Sequence, residues 1–202
     1  MGMKLRFIRS TAAAVLSLCL AAAPAAAQEG EASAAGPSAE GGAAGSPDSL
    51  PIYASADGRV YLTRDQALTE IFSGGVTVRA ERWRLTEGEA RRIESRSGVE
   101  VPHREPIVYR VLDGGEDLRG WAMILEERGK YRPITMMVGV APDFTVRGVE
   151  VMVYREDRGE EVRYDRFLQQ YRDKGTGAPI RTHRDIMNVT GATISVHSMN
   201  DG

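Results

Sequence analysis

From residue 106 onward the chain sets short apolar runs between turn residues: PIVYRVL (106–112), RGWAMILEE (119–127), PITMMVGV (133–140) and TVRGVEVMVYRE (145–156). The breaks are Asp113-Gly114-Gly115, Gly129 and Ala141-Pro142-Asp143. Runs of this length at hairpin spacing predict consecutive antiparallel strands. Upstream, RVYLT (59–63) and VTVRAERWRL (76–85) have strand character, and each leads into a helix signal. Thr63 and Gln66 form one capping box, followed by Ala67, Leu68, Ile71 and Phe72 on one face and the stop Gly74-Gly75. Thr86 and Glu89 form a second, with a helix expected to Ser97 and Gly98 closing it. Val162, Phe167, Leu168 and Tyr171 recur at roughly helical spacing, and GTGAP (175–179) is a break. The predicted class is α+β, a mostly antiparallel sheet with helices packed on one face or end.

Before residue 52 the pattern changes. Lys4, Arg6 and Arg9 precede the apolar run 11–23, and Pro24 then leads to Ala25-Ala26-Ala27. This reads as a signal peptide over 1–27, too short in its apolar part for the roughly 20 residues of a spanning helix. Residues 28–51 are almost all Gly, Ala, Ser, Pro and Glu, the composition of a flexible tether. One folded domain is expected over 52–202. Cys19, the only cysteine, would leave with the signal, so no disulfide, thiolate nucleophile or Cys-held iron–sulfur cluster is expected in the mature chain. Such a protein is exported, to the periplasm or outside the cell. Its formal net charge of −2 gives no general attraction to nucleic acid, and acids interleave with Arg79, Arg82 and Arg84.

The most distinctive polar stretch is NVTGATIS (188–195). Gly191 lets the backbone turn and approach a ligand closely, Ala192 adds little bulk, and Thr190 and Thr193 supply hydroxyls. A helix starting here would turn its free N–H groups to the same corner, where phosphate binds well. An ordinary helix N-cap fits the same residues equally well. SVHSMNDG leaves room for only a turn or two, so a rudimentary helix is expected.

Three elements in order carry a resemblance: Gly129-Lys130-Tyr131-Arg132-Pro133-Ile134, the strand and loop from Val149 through Glu156 to Gly159, and Thr190-Gly191-Ala192-Thr193 with Ser195 two residues on. Together, residues from about 105 to 202 resemble the FMN-binding domain family, which includes flavin-bearing subunits of the sodium-pumping NADH:quinone reductase and of the Rnf complex. The resemblance implies FMN as cofactor, joined through its phosphate to the last Thr of the motif, here Thr193, by a flavin transferase that uses FAD. It also implies that Thr190, Gly191, Ala192, Ser195, Glu156 and Gly159 lie near the flavin. The family's acid, three residues before the first Thr, falls at Met187, and Asp185 is the nearest acid. Redox partners at or near the membrane are implied as well.

Among the other polar candidates, His103, His183 and His197 lack metal-ligand spacing with a carboxylate and are expected at the surface. Ser195 and His197 diverge on a helix and have no orienting acid. Glu156 and Asp157 read as a solvated loop that the resemblance places near the flavin. Trp121, Tyr131 and Tyr154 are candidates to stack on an isoalloxazine ring. With no acid/base or nucleophile constellation, an electron carrier fits better than a substrate-converting enzyme. The competing readings are a flavin-dependent reductase with non-covalent FMN and a cofactor-free member of the family.

Overall fold

A computed structural model describes residues 58–97, 101, 104–114 and 116–202. The expected signal peptide and tether, Gly98, His103 and Gly115 lie outside them. Six strands, β1 (Arg59–Val60), β2 (Thr77–Arg82), β3 (Ile107–Leu112), β4 (Leu118–Arg128), β5 (Pro133–Val140) and β6 (Val146–Tyr154), form one sheet in the order β1-β6-β5-β4-β3-β2. Every neighbouring pair is antiparallel. The helices are α1 (Arg64–Phe72), α2 (Glu87–Ser97), α3 (Asp165–Leu168) and α4 (Thr193–Asp201), with 3-10 turns at Glu160–Arg163 and Gln169–Tyr171. The class is α+β, with the hairpin succession that the apolar runs predict.

The strand period puts alternate side chains on opposite faces, and each face is covered by a different part of the chain. On one, Ala67, Leu68, Ile71 and Phe72 of α1 pack on Tyr109, Val111, Ala122 and Met137. On the other, Met123, Leu125, Met136, Val138, Val149 and Val151 meet the C-terminal segment through Phe167, Tyr171, Ile186, Val196 and Met199. A small cluster of Leu85, Ala90, Ile93 and Val101 holds α2 with Trp83. Both capping boxes are made, Thr63 with Gln66 and Thr86 with Glu89. At the other end of α1, Arg119 donates to Phe72 O (3.1 Å) and Arg147 to Ile71 O (3.2 Å), cations where the helix carbonyls are unpaired.

The strand expected over 76–85 stops at Arg82, and the helical spacing over 162–171 resolves into a short α-helix between two 3-10 turns. Three further boundaries differ from the sequence pattern for reasons the packing shows. The first strand is Arg59–Val60 alone, because the N–H groups of Tyr61 and Leu62 both converge on Met152 O (2.9 and 3.3 Å) before Thr63 caps α1. β6 ends at Tyr154, where Arg155 turns its side chain inward to Pro133 O (3.1 Å) and Thr135 Oγ1 (2.7 Å), with Glu126 3.7 Å away. The last helix runs nine residues, longer than expected, because Val196 and Met199 are buried and small Ser195 and Ser198 let it lie close to the sheet.

Glu150 of β6 is half-buried. Burial holds its carboxyl up at about 7, the charges of Asp165 and Glu70 add to the shift, and Arg172 opposes it. The folded protein therefore binds this proton more tightly than the unfolded chain. The contribution to stability is full below the ordinary value of 4.5 and lost as pH rises through about 7. Thermal melts should show a higher Tm near about pH 5 than near about pH 8, and Glu150→Gln should flatten most of that difference.

Candidate functional site

The corner at 188–193 is built by a tight turn running into α4. Ala192 N–H donates to Val189 O at 3.0 Å, and Gly191 has φ +84°. Ala192, at φ −115°, opens the helix without any side-chain cap. Its first N–H groups and the positive end of its dipole are left for whatever lies in front. Thr193 is the first helical residue and is exposed. Its Oγ accepts a hydrogen bond from Asn188 Nδ2 at 3.0 Å. Beyond its own chain neighbours, no atom of the described residues lies within 4 Å of where a Cβ on Gly191 would sit, so the turn faces open space.

Behind the exposed hydroxyl the corner is anchored to the sheet. Tyr154 OH donates to Arg158 O (2.6 Å), and Ser195 Oγ, 2.8 Å away, donates to the Tyr154 oxygen. Burial holds the Tyr154 phenol above its ordinary range, the Ser195 bond acts the other way, and the charges of Glu156, Glu161 and Glu160 add to the rise. The phenol therefore stays protonated as a donor. Gly159, at φ +92°, brings the loop after β6 against this pair. Further along α4, Ser198 Oγ lies 2.8 Å from Arg128 O, and Asn200 bridges Tyr171 OH (2.6 Å) and Thr182 Oγ1 (2.9 Å).

The sequence candidates fall into different places. Thr190 and Gly191 are exposed in the turn beside Thr193, while Ala192 is buried beneath it. Ser195 is also buried, and its hydroxyl is engaged by Tyr154. Glu156 clamps the β4–β5 turn, accepting from the N–H groups of Tyr131 (2.5 Å) and Arg132 (3.0 Å). Asp185 clamps another turn, accepting from Arg181 N (2.7 Å), Ile180 N (3.1 Å) and Lys174 Nζ (3.0 Å). Burial works against ionisation of Asp185, but these donors outweigh it and hold its carboxyl below the ordinary range.

Tyr131 is 75% exposed on its turn, with Lys130 over its ring, so it is not a core residue. Trp121 instead stacks on Phe144 at 5.7 Å and packs against the core. Met187 is exposed, and its N–H donates to Gln170 Oε1 at 2.6 Å. His183 and His197 are exposed. Among the described residues no group of three or more His, Cys, Asp or Glu is placed to hold a metal ion. In the same residues no helix is long and apolar enough to cross a membrane. Sequence reasoning missed Asn188. Its signal was an amide residue just ahead of a Gly turn, a type that bonds across such turns.

The corner, the β4–β5 turn and the loop after β6 lie within the span 129–202, which matches the family model described as the FMN-binding domain. Residues 129–202 belong to the FMN-binding domain family. A crystal structure of NqrC from Shewanella oneidensis is similar, at 15% identity and a TM-score of 0.44, over 65% of this chain and 78% of that one. No curated protein sequence matches. The corner of the FMN-binding domain suits the phosphate end of the cofactor. It offers an exposed hydroxyl, helix N–H groups without a side-chain cap, the Asn188 donor and the open space in front of Gly191.

Proposed function

We propose that this chain is an exported electron-transfer protein that carries FMN joined by a phosphoester to Thr193 Oγ. The observation that carries the reading is the exposed Thr193 hydroxyl at the start of a nine-residue helix, inside the FMN-binding domain. In the attachment step Thr193 Oγ bonds to the FMN phosphorus of FAD and the pyrophosphate P–O bond breaks. AMP leaves, and the hydroxyl proton passes to solvent. A flavin transferase supplies the catalysis, and an exposed acceptor is open to its active site. Bound FMN supplies the one- and two-electron chemistry. The helix N–H groups and Asn188 stabilise the phosphodiester, and the exposure of Tyr131 leaves its ring free for the flavin or for a redox partner at or near the membrane. A covalent link keeps the flavin from diffusing away outside the cytoplasm.

A second reading, FMN held without a covalent bond, is favoured by Met187, which puts an exposed thioether where the family carries an acid. One experiment separates the two. Protein co-expressed with a flavin transferase is precipitated with acid, and spectra are taken of pellet and supernatant. Covalent attachment puts the yellow chromophore in the pellet and FMN less water on the Thr193 peptide by mass. Colour in the supernatant alone means bound but unattached FMN, and a colourless protein overturns both.

A further inference from the structure

We infer that Asn188 is the positioning residue of the acceptor: its side-chain amide sets Thr193 Oγ for attack on phosphorus and afterwards stays as a donor to the phosphodiester. The inference rests on Thr193 being the flavin acceptor.

Two features of the amide point this way. Its Nδ2 donates to Thr193 Oγ across the Gly191 turn at 3.0 Å, and its Oδ1 is buried without a hydrogen-bond partner. A buried carbonyl oxygen left unpaired is destabilising, and such groups in a folded protein call for an explanation other than stability. Here the side chain is held in a position that sacrifices one of its polar atoms to keep the other on the acceptor.

The chemistry of the two groups is matched before and after transfer. A neutral carboxamide is not a base, so Asn188 takes no proton. By occupying one lone pair of Oγ it fixes the hydroxyl rotamer, leaving the second lone pair for the incoming phosphorus and the proton free to pass to solvent. When Oγ becomes an ester oxygen it can only accept hydrogen bonds, and Nδ2 still donates to it or to a neighbouring phosphoryl oxygen. A carboxylate in this place would lose the donor and repel the phosphate. The residue one position earlier, where the family carries its acid, is Met187, exposed to solvent, with its backbone N–H tied to Gln170. In this chain the polar side chain that reaches the acceptor is Asn188.

The test uses the whole chain with a flavin transferase and FAD, following covalent flavin by intact mass against time. Asn188→Leu, of similar volume, should lower kcat for incorporation about tenfold or more while leaving KM for the protein substrate within about twofold. The Tm of the unlabelled variant should not fall, since leucine removes the orphaned oxygen along with the donor. The phosphodiester 31P resonance of the small labelled fraction should move from its wild-type position. Asn188→Asp keeps the shape without the donor and should also lose rate, so the result stands even if the leucine variant folds poorly. Equal rates and an unmoved 31P line in both variants would overturn the inference, as would a loss of rate in Asn188→Asp that tracks a loss of its Tm. A wild-type chain that gains no flavin at all would instead remove the acceptor reading beneath it.

Discussion

Thr193→Val should emerge from co-expression with a flavin transferase carrying no covalent flavin, whereas Thr193→Ser should keep it. Valine has nearly the shape of threonine and the same branching at Cβ, so the first turn of α4 keeps its backbone. What disappears is the side-chain oxygen of Thr193, the proposed acceptor. Thr193 is exposed, and among the described residues its hydroxyl has one partner, Asn188. The unlabelled variant should therefore lose no more than about 1 kcal/mol of stability. Urea unfolding of the apoprotein checks the second statement, and intact mass checks the first. Flavin remaining on Thr193→Val would move the attachment elsewhere, with Thr190 the nearest other hydroxyl in the exposed turn.

Gly159→Ala should have a larger effect on the fold and a secondary one on the flavin. A Cβ at this position would lie 2.5 Å from Ser195 Oγ and 2.8 Å from Tyr154 OH. The backbone is left-handed, at φ +92°, which alone costs alanine about 1–2 kcal/mol. Relieving the clash also parts the buried Ser195–Tyr154 hydroxyl pair; Tyr154 keeps Arg158 O, so Ser195 alone is left unpaired, at about 1–3 kcal/mol. The sum is on the order of 2–4 kcal/mol of lost stability by urea unfolding, with the start of α4 displaced from β6 and flavin incorporation slowed. Gly191→Ala is the control. It has a similar φ, +84°, but nothing within 4 Å of the added carbon, so only the conformational cost of about 1–2 kcal/mol applies. Equal losses at the two sites would mean that the contact at Gly159 does not matter.

The parts of the fold that were legible in the sequence were those set by near neighbours in the chain. The Thr63–Gln66 and Thr86–Glu89 boxes act over three residues, and the hairpin strands announce themselves by alternation and by the turns between them. The corner itself was legible because Gly191 and the flanking threonines are local. What was hidden was the pairing of distant polar groups. Nothing near Ser195 tells that its hydroxyl meets Tyr154, forty-one positions away, rather than a ligand. Glu156 and Asp185 are acids in the right neighbourhood, yet the N–H groups that each accepts belong to turns whose closure depends on the tertiary fold. The length of α4 was hidden too. SVHSMNDG lacks a strong apolar stripe, and the close approach that small Ser195 and Ser198 allow shows only once the helix is laid on the sheet.

The two-residue strand β1 carries a mechanical consequence. Its register sets Arg59 opposite Tyr154 and Val60 opposite Val153, and the Arg59 side chain reaches Glu160 at 2.9 Å in the loop that backs the acceptor corner. Any tension arriving through the chain ahead of Gly58 is thus borne first by a ladder two pairs long, fastened to the strand end and loop that hold Thr193 in place. Pulling on the chain at Gly58 would therefore load the Thr193 corner before the five longer strands of the sheet.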